Sequence, residues 1–472
     1  MPPLGPDVSM TSDSGRTTEE TPDRGTGGFH RFSDWLRYHA ILASLIVLLC
    51  SLDIRLFLTL EADPQDLTFP DSQTYLTPAL SLIESGAFLN EYNKPEISRT
   101  PGYPAFLAVV MYVAGKELRN LVIAQTIVVS LSVLILYWLA RHILPPVMAF
   151  TGALLAALSP WGAVRAGFLL TEGVFLLILV LLLLVIYLVV EHRSKLPTAL
   201  LGGGFAGLLT SAAVLVRPVW ILVPLVAVFL LLLCWDKRRM AWIVVAVMLV
   251  CASTPLYLWK VRNLHEAQFN GLTDISGKAA HQWLAASVKA RVKGADGDRW
   301  AMQKAAEMEE YRWVLGLQDK NDERWRRAEA VFFEHPFLTL YTFALNAGEA
   351  IIHPHPGILT PAGLNFTGDV WVLGGIWAGM LIFAGLGLCC TPDKERDDGL
   401  IQRKWLLSVL AISLLLTVAS GFVFGAGSRY RAPLELIVPL LSGVGLVRVV
   451  SCFKRAPICL PYQSRLGKKR LG

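Results

Sequence analysis

Charge is scarce in this chain. Asp, Glu, Lys and Arg together make up 17% of the 472 residues, against 54% hydrophobic residues. A soluble chain of this length carries roughly 25% charge, so a soluble globular protein is excluded. The net charge of +6 does not indicate nucleic acid, because much of the basic charge sits in short loops between apolar runs. Useful cysteine is missing too. Cys50, Cys234, Cys251, Cys389, Cys390, Cys452 and Cys459 fall within apolar runs or at ends assigned to the cytoplasm. None lies in an outward loop, so no disulfide framework is implied. No Cys/His cluster has zinc spacing. There is no internal repeat, and the apolar runs are nearly free of mid-run charge.

What remains is a series of apolar runs, each near the ~20 residues needed to cross a bilayer. They are Ala40–Leu58, Leu121–Ala140, Pro146–Leu158, Gly173–Val190, Ala199–Val216, Val219–Trp235, Ala241–Leu258, Val370–Cys389, Leu406–Phe424 and Ala432–Val450. The third is short and is expected to extend to about Gly162. The expected fold is an all-α polytopic membrane protein of about ten transmembrane helices. Two further apolar stretches, Pro104–Gly115 and Pro336–Ile352, could be spans or helices lying at the interface.

Loop charge decides between these. With a cytoplasmic N-terminus and neither ambiguous stretch crossing, five basic clusters face the cytoplasm. They are Arg141/His142, His192 to Lys195, Lys237 to Arg239, Arg403/Lys404 and the tail from Arg465 to Arg470. Letting either stretch cross alone, or both together, moves some or all of these clusters outside, against the positive-inside rule. Both are therefore expected as interfacial helices on the outer face. The chain then divides into a disordered cytoplasmic tail (1–38), a membrane module (39–260) whose first outer loop is 59–118, and an outer region with amphipathic helices (261–369). C-terminal transmembrane helices (370–452) and a basic cytoplasmic tail (453–472) follow. The polar residues 1–38 do not look like a signal peptide.

This topology puts the polar residues that most resemble chemistry on the outer side: Asp71, Arg99, Glu172, Arg217, Arg429 and Arg431. Asp71 precedes a helical pattern of Leu76, Leu80 and Ile83 that ends at Gly86. It is equally readable as an N-cap, a job Ser72 could share, or as a catalytic carboxylate. Asp53, Glu61, Asp63 and Asp66 are nearby rivals, with Asp53 expected to pair with Arg55. Arg99 precedes Thr-Pro-Gly-Tyr-Pro104, where two prolines and a glycine are expected to fix a rigid turn. A rigidly held guanidinium suits bidentate phosphate binding; the plainer reading is an arginine that snorkels to headgroups.

Glu172 follows Thr171 at the mouth of the fourth run, as a functional carboxylate or a helix cap. Arg217-Pro218 sits at the turn between runs five and six, where a structural role is adequate. Arg429-Tyr-Arg431 places two outward arginines against the positive-inside bias, which points to an anionic ligand. His353-Pro-His355 is a weak metal signal, and Asn365-Phe-Thr367 matters only in a eukaryotic secretory setting.

At these residues the chain resembles the integral-membrane glycosyltransferases of the GT-C type. It looks most like the bacterial branch of the protein-mannosyltransferase superfamily, which includes lipid A aminoarabinose transferase. The likeness covers Ala40 to about Leu230. It rests on Asp71-x-x-x-Tyr75-x-x-x-Ala79, Arg99-x-Pro-Gly-Tyr-Pro-Ala-Phe-Leu107, Leu158-Ser-Pro160 with Thr171-Glu172, Leu215-Val-Arg-Pro218, and Arg429-Tyr-Arg-x-Pro433. It implies transfer of a sugar from a polyprenyl-phosphate carrier to a lipid, glycan or protein acceptor outside the cytoplasm. Asp71 would match the first-loop base, Glu172 the acid of the second outer loop, and Arg99 the cation that meets carrier phosphate. Tyr75, Arg217, Arg429 and Arg431 would complete a phosphate- and substrate-binding group. Many relatives carry two adjacent acids in the first loop, but Asp71 is followed by Ser72, so a metal-assisted variant is disfavoured and no metal or cofactor is expected. Membrane lipid is an expected partner and nucleic acid is not.

Two rival classes remain. A ligase or polymerase using a diphosphate-linked carrier would depend on its large late loop. A transporter or flippase would want charge inside a groove and repeated halves.

Overall fold

The computed structural model describes residues 27–61, 68, 71–192, 195–235, 238–294, 298–352, 369–389, 409–411, 413–415, 417–422 and 430–455. Among these the regular elements are all helical, apart from one isolated bridge between Leu89 and Pro95. The chain opens with α1 (Gly27–Tyr38). The expected disordered tail over 1–38 is thereby corrected at its C-terminal end. Phe32, Trp35 and Leu36 recur at helical spacing, and Leu36 buries itself against the bundle. Residues 1–26 and 456–472 lie outside the described residues.

The helices then run α2 (Ala40–Glu61), α3 (Ser72–Ser85), α4 (Gly102–Ala114), α5 (Leu118–Ile143), α6 (Pro146–Ala157), α7 (Pro160–Ala166), α8 (Glu172–Glu191), α9 (Leu196–Val216), α10 (Val223–Cys234) and α11 (Arg238–Ala267). The segment expected as the outer region holds α12 (Ile275–Lys278), a π-helical stretch Ala279–Ala285, α13 (Ala286–Val292), α14 (Arg299–Tyr311), α15 (Leu317–Glu334) and α16 (Pro336–Ile352). Then come α17 (Asp369–Cys389) and α18 (Leu434–Arg455).

Among the described residues six helices, α2, α5, α8, α9, α11 and α18, are long and apolar enough to cross a membrane. The protein is a multi-pass membrane protein. The four other expected runs also carry helix, as α6, α10, α17 and the described pieces of 409–422.

The third run departs from expectation. Its helix stops at Ala157 instead of reaching Gly162, and α7 restarts at Pro160. Proline has no N–H, so a continuous helix would leave the Ala156 carbonyl without a partner. Arg55 fills that gap from α2, donating to the Ala157 carbonyl at 2.6 Å and the Ala156 carbonyl at 3.4 Å. A buried cation at a helix C-terminus also meets the negative end of its dipole. The expected pairing of Arg55 with Asp53 is thus corrected: Arg55 is 1% exposed and turned inward, while Asp53 is exposed.

Contacts at their ends fix where the two ambiguous helices meet the bundle. Tyr103, in the first turn of α4, donates to Gln125 in the second turn of α5 at 2.7 Å. Both helices therefore start at the same end of the bundle, and α4, about 20 Å long, lies along it. At the start of α16, Leu338 and Phe343 pack on the outer-region core. At its end the Ile351 carbonyl accepts from Trp377 at 3.0 Å and Arg431 at 3.5 Å.

α18 is the central post of the C-terminal half. It meets α6 backbone to backbone at Gly443 and Gly152, and meets α17 at Gly445 and Gly387. Close approach through small residues gives membrane helices contact area that apolar transfer cannot supply. A Cβ on Gly443 would stand 2.3 Å from the Gly152 nitrogen. We expect Gly443→Val to lower the thermal midpoint in detergent, on the order of 1–3 kcal/mol of overpacking. Gly375→Ala on α17, where a Cβ meets nothing within 4 Å, leaves the midpoint unchanged in the same assay.

Candidate active site

Asp71 stands at the start of α3 but does not cap it: its carboxylate makes no capping hydrogen bond. Instead its Oδ1 accepts from Nη2 of Arg99 at 3.1 Å. Arg99 uses its remaining nitrogens on the same helix. Nε donates to Thr74 Oγ1 at 2.8 Å and Nη1 donates to the Tyr75 hydroxyl at 3.1 Å. One face of α3 is thus a template for one guanidinium. The neighbour Ser72 is not a cap either; its buried hydroxyl donates to the Leu169 carbonyl at 2.9 Å and ties α3 to the segment before α8. The Asp71 side chain is 37% exposed, so its pairing with Arg99 is worth under ~1 kcal/mol and can be exchanged for another anion.

Opposite lies the Leu215-Val-Arg217-Pro218 segment. The expected rigid turn after Arg99 is in fact the first turn of α4. Gly102 serves close approach there: a Cβ would lie 2.7 Å from the Leu215 carbonyl oxygen. This contact brings Arg217 to the cleft whose wall also includes Asp71, Tyr75, Arg99, Thr100 and Tyr430. Arg217 is buried and pairs with Glu172 at 2.7 Å, the two side chains being 7% and 1% exposed. Its guanidinium sits 4.5 Å over the Trp220 ring and 5.1 Å over the Tyr430 ring.

Behind Arg99 the backbone is held from two sides. Glu96 Oε1 accepts from the amides of Ser98 at 2.5 Å and Arg99 at 2.9 Å. Burial pushes the Glu96 carboxyl up, with these amides opposing. Arg262, near the end of α11, donates to the carbonyls of Glu96 and Phe88 at 2.7 and 2.8 Å. From the outer region, Thr273 donates to the Ser98 carbonyl at 2.8 Å, and Ser98 Oγ donates to Asp274 at 2.7 Å. Asp274 then leads into a buried chain. Arg324 bridges it at 3.0 Å to Glu310 at 2.8 Å, and Glu310 meets His281 at 2.9 Å. Burial alone would push the Asp274 carboxyl up, but Lys278, Ser98 and Arg324 hold it below the usual carboxylate range.

The structure brings together Asp71, Tyr75, Arg99 and Arg217 around one cleft. Glu172 lies behind Arg217 and does not line that cleft. Arg431 turns away. It is fully buried between the rings of Trp161 and Trp377, with Glu435 at 3.0 Å. Its neighbour Tyr430 faces the cleft instead. Arg429, His353, His355 and Asn365 lie outside the described residues, as do Asp63 and Asp66. Among the described residues no group of three or more His, Cys, Asp and Glu could hold a metal ion. Sequence reasoning passed over Glu96, Arg262, Asp274 and Glu435. Of these only Glu435, an acid in the first turn of an apolar helix, carried a local signal.

A buried pair that loses one member leaves an unmatched charge. Glu172→Gln is therefore expected to destabilise by about 3–5 kcal/mol, and Glu172→Gln with Arg217→Met by less than Glu172→Gln alone. Thermal midpoints of the purified variants, compared as a double-mutant cycle, read this directly.

Residues 98–259 match the family model described as dolichyl-phosphate-mannose-protein mannosyltransferase. No curated protein matches the sequence. Among solved structures, the chain is similar to the archaeal oligosaccharyltransferase AglB from Archaeoglobus fulgidus in complex with an inhibitory peptide and a dolichol-phosphate. The identity is 14%, the TM-score 0.52, and 89% of this chain and 51% of that one are covered. The apo form of the Archaeoglobus fulgidus enzyme gives 13% identity, a TM-score of 0.53 and the same coverage. ArnT from Cupriavidus metallidurans bound to undecaprenyl phosphate matches at 19% identity with a TM-score of 0.37, over 89% of this chain and 79% of that one. The chain spans about half the length of the archaeal enzyme. The matched segment holds Arg99, Glu172 and Arg217, and the fold is similar to that of the archaeal oligosaccharyltransferase.

Proposed function

We propose that this protein transfers a sugar from a polyprenyl-phosphate carrier to an acceptor on the non-cytoplasmic face of the cell membrane, with both termini in the cytoplasm. The observation that carries the reading is the exchangeable Asp71–Arg99 pair at 3.1 Å, set on a cleft with Arg217 across it. An acid and two arginines around one cleft fit a reaction in which a phosphate leaves and a hydroxyl attacks. The archaeal relative of the same fold is described in complex with a dolichol-phosphate, which supports a polyprenyl phosphate as ligand. Orientation has separate support. The basic residues Arg141, His192, Lys195 and Arg239 sit at the helix ends opposite the cleft, as a cytoplasmic face requires.

In this mechanism the carrier phosphate takes the place of Asp71 at Arg99, with Arg217 lending charge from the other wall. Preorganised cations stabilise the charge that grows on the leaving phosphate. The displaced Asp71 carboxylate accepts the proton of the acceptor hydroxyl as that oxygen attacks the anomeric carbon. One displacement inverts that centre. Tyr75 orients Arg99 and lines the cleft. Glu172 acts through Arg217, and Arg431 serves the bundle rather than the phosphate. The outer region 261–369 would present the acceptor, between the membrane module 39–260 and the C-terminal helices 370–452.

Asp71→Asn keeps the shape of the side chain and removes the base. We expect it to cut transfer from a radiolabelled polyprenyl-phosphate sugar by about 10²–10⁴-fold, with thermal midpoint and membrane insertion unchanged. Wild-type turnover by that variant overturns the assignment. Arg99→Gln is expected to raise the carrier KM in the same assay.

A further inference from the structure

Ser98 has every polar group engaged. Its amide donates to Glu96, its carbonyl accepts from Thr273, and its hydroxyl donates to Asp274 and accepts from Lys278 Nζ at 2.9 Å. Three of these partners, Thr273, Asp274 and Lys278, are more than 170 residues away in sequence, so the residue next to Arg99 is held from outside the membrane module as well as from within it. Asp274 is the hub. Its two carboxylate oxygens are divided between the loop and the outer helices: Oδ1 takes Ser98, and Oδ2 takes Lys278 at 3.1 Å and Arg324 at 3.0 Å. The carboxylate is 7% exposed and has no room to swing away. Ile275, the next residue, lines the same cleft as Arg99.

We propose that Asp274 is a positioning residue for Arg99, acting through Ser98, so that the outer region sets the affinity of the cleft for the carrier phosphate. The inference rests on the reading of Arg99 as the phosphate-binding cation. Arg99 reaches Thr74, Tyr75 and Asp71 together only when its Cα is held at one place, and Ser98 is the joint that holds it. The Asp274–Arg324–Glu310–His281 chain joins α12, the π-helical stretch, α14 and α15 into one rigid body. A shift of that body therefore moves Ser98, and Arg99 with it.

The test uses the full-length protein in lipid nanodiscs and a polyprenyl phosphate without sugar as the probe. Asp274→Asn and Ser98→Ala are each expected to weaken binding on the order of tenfold, within the usual range for coupled sites. The double variant should lose no more than the single ones, because both cut the same link. Asp274→Glu, which keeps the charge, should recover part of the affinity. A merely structural role would lower the thermal midpoint while leaving the affinity of the folded protein unchanged. Where Asp274→Asn fails to fold, Ser98→Ala carries the test. Wild-type affinity in both variants, with affinity lost in Arg99→Gln, overturns the proposal and leaves the function standing. Equal binding by wild type and Arg99→Gln overturns the phosphate reading instead. The positioning claim is then decided by phenylglyoxal labelling of Arg99, expected to be faster in Asp274→Asn and Ser98→Ala than in wild type; equal rates overturn it.

Discussion

The buried pair between Arg217 and Glu172 is the constraint on which the cleft depends. Each residue stands at a helix end, Glu172 at the start of α8 and Arg217 just past the end of α9. Neither charge could be left alone at that depth, since desolvating an unpaired ion costs several kcal/mol. Pairing them pins two crossing helices at one level. α4 then docks on the same level through Gly102, and Arg99 rides in on the segment before it. One charge-balance requirement thus aligns three separate stretches of chain.

The arginines divide by burial into two kinds. Arg55, Arg217 and Arg431 are all almost wholly enclosed, and each is matched by carbonyls, a carboxylate or aromatic faces. Their task is to hold helices. Arg99 is the exception among the described candidate arginines, with 17% of its side chain exposed and a carboxylate partner that is more exposed still. A cation that must exchange partners during turnover has to be held by its backbone and by neutral hydroxyls, not locked to an acid. That is the arrangement around Arg99, where Thr74, Tyr75 and the Glu96-bound amide do the holding.

Much of this was legible in the residues alone. Apolar runs of about 20 residues announced the helices. Counting crossings put Asp71, Arg99 and Arg217 on one expected side together with Glu172, Arg429 and Arg431, without saying that the first three share a cleft. What stayed hidden depends on contacts distant in sequence. Arg55 looked like a partner for Asp53 two residues away, yet its acceptors are the carbonyls of Ala156 and Ala157. Glu172 looked like a second reacting acid because nothing local shows that Arg217 faces it. Asp274 and Arg324 carry no local signal, since an amphipathic pattern does not say which polar residues a neighbouring element will cover. The helix break at Ala157 was readable in principle: Pro160 removes the N–H that the Ala156 carbonyl would need.

The length of α11 ties the cleft to its lipid. At 30 residues this helix is about 45 Å long, well beyond the ~30 Å of hydrocarbon that it crosses. Its outer end carries Arg262, which grips the backbone of Phe88 and Glu96 just ahead of Arg99. Bilayer thickness therefore sets how far that grip stands above the lipid. A thicker bilayer rises toward the Glu96 loop and a thinner one recedes from it, unless α11 tilts to compensate. The excess length of α11 thus carries the Arg262 grip on Phe88 and Glu96 beyond the hydrocarbon that the helix is built to cross.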